Sequence, residues 1–344
     1  MIFVGDISLP YKNCIKIDLP INLQQKFWFG NLEGSLVEDG DKQLSTGKVF
    51  NDFDAISQLC NEIKFVGFGL ANNHILDLAD IETTVSNLNK LNKSYVGAGQ
   101  DLSEAQKAII LKDKDEDLVI LAFGWEAINC IPAKEKKQGV NPYSKTNTLY
   151  CVQNVLKKYS DKKIICYFHW NYELEIYPQP LDRDLAKKLI DLGVYAVIGC
   201  HAHRIQGIEF YNGHFIFYGL GNFLFPHKTF RNGTLAFPYF VEKEYAVEFL
   251  GNEILLHIFR YDIENKILKH ENSLDLLKAN VFEGLNDFNG WDCRKYSKWL
   301  RERRYHKNKL LPIFYYNDFY WFAKLKVKYI LLRHKLVLYL KYIK

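Results

Sequence analysis

Several side chains that could bind a metal ion follow short apolar runs at separate places along the chain. They are Asp6, Glu33, His74, His169, His201 and His203. Carboxylate oxygens and imidazole nitrogens suit hydrolytic metal centres, where the metal polarises the substrate and lowers the pKa of bound water. These residue types predict metal-dependent hydrolysis, provided that the fold brings them together.

The pair His201 and His203 is the strongest single signal. The pair directly follows an apolar run, and a His-x-His spacing in an extended chain places both imidazoles on one side. Two such histidines commonly share a metal. The adjacent Arg204 could contact an anionic substrate.

Two carboxylates, Asp6 and Glu33, precede this pair in the chain. Asn31 and Glu33 are two residues apart, so an extended chain puts them on one face, and a carboxylate there could bridge two metals. The alternative is a surface loop with an Asx turn. Asp6 follows Gly5 after the first apolar run, where a simple turn is the alternative.

His74 is the candidate for proton transfer. It follows Asn72 and Asn73, and it could protonate a leaving group or bind an anionic oxygen of the substrate. Asp77, one turn along, could fix its tautomer. The alternative is that Asn72 or Asn73 caps a helix.

The apolar runs that carry these residues have the length and composition of buried strands. They are Met1–Val4, Phe27–Phe29, Phe65–Leu70, Leu118–Phe123, Ile164–Phe168 and Tyr195–Ile198. Four segments between them have helical character: Asp52–Glu62, Asp80–Asn92, Thr146–Lys158 and Leu181–Leu192. This alternation predicts a layered α/β fold, in which ligands gather beyond the carboxyl ends of the strands.

Further strands are predicted at Phe215–Leu220, Tyr245–Leu250 and Ile254–Tyr261. Asn212-Gly213, just before the strand Phe215–Leu220, is typical of a hairpin turn. Gly251-Asn252, between the other two strands, is typical of a second one. Ile267–Leu277 is predicted to be helical. We therefore divide the chain into a catalytic domain, residues 1–270, and a basic, aromatic, helical extension, residues 271–344.

Six motifs, in order over roughly residues 1–225, resemble the CapA-type capsule-biosynthesis family associated with poly-γ-glutamate, within the calcineurin-like metallophosphoesterases. The motifs are Val4-Gly5-Asp6, Asn31-Leu32-Glu33-Gly34, Ala71-Asn72-Asn73-His74-x-x-Asp77, His169-Trp170-x-x-Glu173, Gly199-x-His201-x-His203-x-x-Gln206 and Gly219-Leu220-Gly221-Asn222-Phe223. The resemblance implies a four-layer α/β/β/α metallophosphoesterase-like fold and a role in making or exporting a surface polymer.

The resemblance also implies roles for individual residues. The implied metal ligands are Asp6, Glu33, Asn73, His169, His201 and His203, holding one or two divalent ions such as Mn, Zn or Fe. We assign catalytic roles to His74, Asp77 and Glu173. We assign substrate contacts to Asn31, Trp170, Arg204, Gln206 and Asn222. The expected substrate is an anionic small molecule or polymer precursor.

Three chemistries remain open on this pattern. Phosphoester hydrolysis is the default by fold analogy, and metal-dependent amide or acyl chemistry on a polymer precursor is the second. The third is a non-catalytic polymer-binding or assembly protein. Ser8 favours it, because standard metallophosphoesterases carry His two residues after the first Asp.

Charge and cysteine usage bear on location. Seven cysteines form no CxxC pair, and no signal peptide precedes the first strand, so a cytoplasmic protein is expected. Residues 292–344 hold 15 Lys/Arg against 3 Asp/Glu, whereas the rest hold 30 against 37. The basic, aromatic end predicts either an interfacial helix on the inner face of an anionic membrane or helices packed on the body. A nucleic-acid partner is not expected.

Overall fold

The computed structural model describes residues 1–113, 116–230, 233–251, 253–278 and 286–342. The strands are β1 Ile2–Ile7, β2 Lys16–Asp18, β3 Trp28–Leu32, β4 Ser35–Val37, β5 Phe50–Asp52, β6 Phe65–Gly69, β7 Ser94–Val96, β8 Ala98–Gly99, β9 Ile109–Lys112, β10 Asp117–Gly124, β11 Gly139–Val140, β12 Lys163–His169, β13 Ala196–Cys200, β14 Ile208–Tyr211, β15 His214–Phe217, β16 Asn222–Leu224, β17 Lys228–Phe230, β18 Gly233–Leu235, β19 Lys243–Leu250, β20 Glu253–Asp262 and β21 Ile267–Asp275. The helices are α1 Ile21–Gln24, α2 Phe53–Glu62, α3 Ile81–Lys90, α4 Leu102–Ala105, α5 Lys145–Lys158, α6 Pro180–Leu192, α7 Cys293–Arg303 and α8 Tyr320–Tyr342.

Two large mixed sheets form the centre of the molecule. The first has the order β2-β21-β20-β19-β1-β3-β6-β7, with β16 also paired to β1. The second has the order β14-β15-β13-β12-β10-β9. Strands β1, β3 and β6 are parallel to one another, and so are β10, β12 and β13. Each sheet therefore presents a row of carboxyl ends along one edge.

The two sheets face each other across a shared hydrophobic core. The Tyr167 hydroxyl on β12 donates a hydrogen bond to the carbonyl oxygen of Val4 on β1. The Tyr167 ring packs edge-on against Phe29 of β3, with 5.3 Å between centroids. Helix α3 packs on β4 and β7, while α6 packs on β13 and β15 with α5 beside it. The predicted four-layer α/β/β/α arrangement is confirmed.

The helices begin where the sequence supplies capping groups. Asp52, Asp80 and Ser144 accept hydrogen bonds from backbone amides at the starts of α2, α3 and α5. These caps satisfy amides that have no partner within the helix. Helix α6 combines a capping box between Gln179 and Asp182 with a proline at its first position.

The helix predicted at Ile267–Leu277 is wrong, because residues 267–275 form strand β21. This strand pairs antiparallel with β20 and parallel with β2. Backbone hydrogen bonds on both sides outweigh a weak local helical preference. The large sheet therefore extends past residue 270, and the division of the chain into domains stays a prediction.

Residues 286–342 of the extension form helices joined by loops, and helix α7 is bonded to the body. The Tyr296 hydroxyl of α7 donates to the carbonyl oxygen of Pro178, at 2.7 Å, just before α6. Helix α8 packs against the short helical turn Glu126–Ile128. Among the described helices, none combines the length and apolar character needed to cross a bilayer.

Candidate metal centre

The carboxyl ends of five parallel strands meet at one edge of the sandwich. Asp6 lies at the end of β1, Glu33 directly follows β3, and the turn after β6 carries the Asn-His pair. From the facing sheet, His169 ends β12, and the paired histidines follow β13. Side chains that are far apart in sequence thereby reach one pocket.

A first group of possible ligands consists of Glu33, His169 and His201. One ligand atom from each lies within 4.8 Å of the others, and all three residues are buried. The amide oxygen of Asn73 lies 2.7 Å from His169 Nε2, which in turn is 3.1 Å from His201 Nδ1. Asn73 therefore adds a fourth donor on the same side.

A second group consists of Asp6, Glu33 and His203, which meet the same criterion. His203 Nδ1 lies 3.5 Å from Asp6 Oδ2, and His203 Nε2 lies 3.8 Å from Glu33 Oε1. Glu33 belongs to both groups. The structure thus brings the six predicted ligands together, with one carboxylate between two sets of donors.

Glu33 carries the strongest indication of a cation. Both of its carboxylate oxygens are buried, and no hydrogen bond from the described residues reaches them. Burial, followed by the negative charges of Asp6, Glu173 and Asp77, raises the pKa of Glu33 well above its usual range. Burial also raises the pKa of Asp6, against the favourable charge of His203. Without a cation, this pair of carboxylates is desolvated and unbalanced.

The histidines have the opposite shift. Burial, together with the neighbouring imidazoles, holds the pKa of His169 and of His201 well below its usual range. Both rings are therefore neutral near pH 7 and have a lone pair available. Neutral imidazoles and a buried carboxylate without hydrogen-bond donors, such as Glu33, are groups that a divalent metal takes up, so the residues fit such an ion.

His201 and His203 reach the pocket by a backbone that the sequence did not predict. Their φ angles are 87° and 52°, in the left-handed region, instead of the expected extended chain. Such φ values are rare for residues other than glycine and cost on the order of 1–3 kcal/mol each. The Asp6 carboxylate accepts a hydrogen bond from the His201 amide, at 3.0 Å, and so helps to hold this turn.

The residues assigned to catalysis form the solvent-facing border of the pocket. His74 and Asp77 are 25% and 21% exposed, whereas the Asp6 and Glu33 side chains have no exposed surface. His74 Nδ1 lies 2.8 Å from Asp77 Oδ2, and its Nε2 lies 3.8 Å from Glu33 Oε1. Glu173 is exposed, and its charge acts on Glu33. A substrate would enter past these three side chains.

Trp170 does not contact substrate, which corrects its assignment. The side chain has no exposed surface. Its ring stacks on Phe168 with 4.4 Å between centroids, and its Nε1 donates to the carbonyl oxygen of Tyr218 at 2.9 Å. Trp170 is therefore a core residue that fixes the segment following His169.

Three other residues assigned to substrate contact are buried and hydrogen-bond to the ligands or to the adjoining loop. Asn222 is 2% exposed, and its amide oxygen lies 2.8 Å from His203 Nδ1. Asn31 donates to Asp6 Oδ1 at 2.8 Å and lies 3.3 Å from His169 Nδ1. Gln206 is also buried and donates to the Glu175 carbonyl oxygen at 2.9 Å. These contacts orient ligands or the adjoining loop and leave little surface for a substrate.

Arg204 keeps its assignment as a prediction. Its guanidinium lies 4.4 Å from the centre of the Phe240 ring, and one nitrogen donates to the Leu174 carbonyl oxygen at 3.3 Å. Burial lowers the pKa of Arg204, although a guanidinium stays charged at neutral pH. It offers a half-buried positive charge beside the loop that follows His169.

Sequence reasoning left two supporting residues without a role at the site. Asn72 donates to the Leu32 carbonyl oxygen and accepts from the His74 amide, so it joins the turn after β6 to the end of β3. Glu175 is buried and accepts from the backbone amides of Tyr305 and His306. Asn72 belongs to the motif Asn72-Asn73-His74, so the sequence offered a signal for it. No motif near Glu175 indicates the partners of that carboxylate.

Ser8 does not replace the missing histidine. Its hydroxyl is buried and donates to the carbonyl oxygen of Phe50 at 3.1 Å. The second group of donors therefore has one fewer side chain than the standard metallophosphoesterase pattern described above.

A two-sheet α/β sandwich with histidines and carboxylates at its shared carboxyl edge defines a candidate metalloprotein. The model of the bacterial capsule synthesis protein PGA_cap family matches residues 11–227. That match covers more than half of the 344 residues, and the chain belongs to this family.

Named relatives are similar to part of the chain. The PGA biosynthesis protein CapA of Bacillus subtilis is 31% identical over 183 residues, covering 52% of this chain and 47% of the relative. The capsule biosynthesis protein CapA of Bacillus anthracis is 26% identical over 218 residues, covering 60% and 52%. The chain thus spans about half the length of the curated relatives it matches.

Among solved structures, a putative 5'-nucleotidase from Staphylococcus aureus in complex with α-ketoglutarate is similar over 87% of this chain and 58% of that one. The identity is 12% and the TM-score is 0.43.

Proposed function

We propose that this protein is a metal-dependent hydrolase that acts in the synthesis of capsule or of poly-γ-glutamate. The observation that carries the proposal is the buried Glu33 carboxylate, which lacks hydrogen-bond donors and lies between two sets of metal-binding side chains. Membership of the capsule synthesis family supports the biological role. The names of the CapA relatives, which concern PGA and capsule biosynthesis, support it further.

The two donor groups would hold one or two divalent ions, with Glu33 shared between them. Mn, Zn and Fe are the candidates, because all three accept mixed carboxylate and imidazole ligands. A metal bound here supplies Lewis acidity and lowers the pKa of nearby water. Proton transfer and the attraction of the substrate would be the work of side chains of the protein.

His74 is the group placed to move a proton. Asp77 accepts its Nδ1 hydrogen at 2.8 Å, which leaves Nε2 directed toward the Glu33 side of the pocket. In the imidazolium form, with Nδ1–H on Asp77, Nε2–H can donate its proton to a leaving-group oxygen, or a hydrogen bond to an anionic oxygen of the substrate. Arg204 would attract the anionic part of a substrate from the side of the loop after His169. Phosphoesters are the default substrates by analogy with the fold, and amide bonds of a polymer precursor are the second choice.

The test combines metal analysis with a substrate screen. Protein purified without chelator is measured for bound metals and assayed on aryl phosphoesters and γ-glutamyl amides. We expect bound divalent metal, and a loss of turnover of about 10²–10⁴-fold in His74→Ala with metal content unchanged. His214→Ala, which removes an imidazole on β15 outside the site, is the matched control. Metal content near zero in the wild-type protein would overturn the proposal.

The position of Ser8 favours a second candidate, a non-catalytic protein of polymer assembly. Its hydroxyl is hydrogen-bonded to Phe50 instead of facing the ligands, so one donor of the standard pattern is missing. Variants His201→Ala and His203→Ala separate the two functions in a capsule-forming host that lacks its own relative. Retained polymer formation supports assembly, and lost polymer formation by folded variants supports the enzyme.

A further inference from the structure

The structure decides which side of helix α8 faces the body. Lys326 donates through Nζ to Asp318 Oδ2 at 2.6 Å and to the Ile313 carbonyl oxygen at 2.7 Å. Ile330, one turn further along, is 8% exposed, and Val327 is partly buried against the core. These three residues lie on one side of the helix, and that side is fastened to the protein.

The side of α8 turned away from Val327 and Ile330 is apolar and exposed. Its residues recur at spacings of three and four, as expected for one face of a helix. We call this the outward face; it comprises Leu325, Tyr329, Leu332 and Leu336. Exposure ranges from 44% for Tyr329 to 66% for Leu332. The aromatic residues Phe319, Tyr320 and Trp321 extend the exposed surface at the start of the helix, at 72%, 70% and 62%.

Basic side chains border the outward face. At about 100° per residue, Lys324, Lys328 and Lys335 fall within about 40° of one another along one border. All three are exposed. Arg333 lies at the other border, and residues 319–342 contain no Asp or Glu. Whatever covers this face must accept both apolar and positively charged groups.

We propose that the outward face of α8 lies flat on an anionic phospholipid bilayer. The apolar residues would enter the boundary between headgroups and acyl chains, while the lysines would contact lipid phosphates. Exposed tryptophan and tyrosine are the aromatic residues enriched at that depth. The helix is not suited to span the membrane, and its first half contacts the protein through Lys326, Val327 and Ile330.

A second copy of the chain fits this face less well. The apolar spacing would suit a helix pair, but stable pairs place acidic residues opposite the bordering lysines. Here each copy would bring only lysine and arginine to the contact, so the charges would repel. An anionic bilayer satisfies both the apolar stripe and its basic borders. This inference does not depend on the metal centre or on hydrolysis.

Cosedimentation of the full chain with vesicles tests the proposal. The vesicles contain phosphatidylcholine alone, or phosphatidylcholine with about a third phosphatidylglycerol. We expect at least about tenfold tighter binding to the anionic vesicles, weakened by salt. The triple variant K324E/K328E/K335E should lose about tenfold or more in affinity. The control K157E/K158E/K188E makes the same charge change on exposed residues of α5 and α6 and should bind normally.

The apolar part is tested with L325S/L332S, whose fold is checked by circular dichroism. Loss of vesicle binding by this folded variant, with the protein monomeric in solution, supports the proposal. Equal binding to neutral and anionic vesicles, or no binding to either, overturns it. A stable dimer that L325S/L332S dissociates would also overturn it and assign the outward face to a second copy.

Discussion

His203 and Asn222 are joined by a hydrogen bond of 2.8 Å between the imidazole Nδ1 and the amide oxygen. In this bond Nδ1 is the donor, so Nε2, which lies 3.8 Å from Glu33, is the ring nitrogen left to face the pocket. Asn222 sits beside Asp6 in the register of β16 with β1. The large sheet therefore sets the orientation of a ligand that the other sheet supplies.

Asn222→Ala removes the acceptor and frees the ring of His203. We expect metal affinity to fall by about 10–100-fold, the usual effect of losing such a supporting bond. Titration calorimetry with Mn²⁺ or Zn²⁺ measures it. Asn222→Asp keeps an oxygen at the same place and should bind metal at least as tightly as Asn222→Ala. Wild-type affinity in the alanine variant would remove Asn222 from the site.

Glu33→Gln should have opposite effects on the metal-free and metal-bound protein. The neutral amide avoids the cost of keeping a buried carboxyl group protonated and can donate to Asp6, so the free energy of unfolding without metal should rise by about 1–3 kcal/mol. The stabilisation that added metal gives the wild type should largely disappear. Urea unfolding with EDTA and with metal measures both effects. A metal-induced shift as large as that of the wild type would contradict the role of Glu33.

Metal binding should release protons. Because the pKa of Glu33 is raised, its carboxyl group keeps a proton to higher pH in the metal-free site, and a cation displaces that proton. His169 and His201 add none, since their lowered pKa values leave them neutral already. Affinity should therefore rise with pH until Glu33 is ionised in the metal-free protein. Calorimetry in buffers of different ionisation enthalpy counts the protons, and Glu33→Gln should release fewer.

Glu175 should couple the extension to the loop that follows His169. Its carboxylate accepts from the Tyr305 amide at 2.7 Å, and His306 Nε2 donates to the Glu173 carbonyl oxygen at 2.5 Å. Glu175→Ala removes the acceptor of the Tyr305 and His306 amides, and we expect a loss of about 1–3 kcal/mol in stability. Proteolysis within residues 304–316 should become faster. Glu135→Ala, an exposed carboxylate, is the control, and equal behaviour of both variants would contradict the coupling.

Local patterns predicted most of the strands and helices. Runs such as Leu118–Phe123 and Ile164–Phe168 lie within β10 and β12, and Asn212-Gly213 forms the turn before β15, with both residues at positive φ. The helix prediction at Ile267–Leu277 was wrong because this segment becomes a strand by pairing with β20 and β2. The periodicity within the segment does not show that pairing.

The candidate site shows the same division. Residue type and position at strand ends identified the side chains that meet in the pocket. They did not identify the roles of the buried residues that support those side chains. Trp170 was placed with the substrate because it follows His169, whereas only the packing of Phe168 and Tyr218 shows that it is buried. For α8, only the hydrogen bond from Lys326 to Asp318 shows which side of the helix faces the protein.

The sequence by itself determined most of the elements, their order and the chemical character of the pocket, because strand propensity, capping and ligand type are local properties of the chain. The tertiary structure alone decided that Glu33 has no hydrogen-bond donor, that His201 and His203 turn in through left-handed backbone, and that one side of α8 stays uncovered. These features depend on which distant segments pack together. Burial and hydrogen bonding across that packing set the charges and exposure on which the proposed chemistry rests.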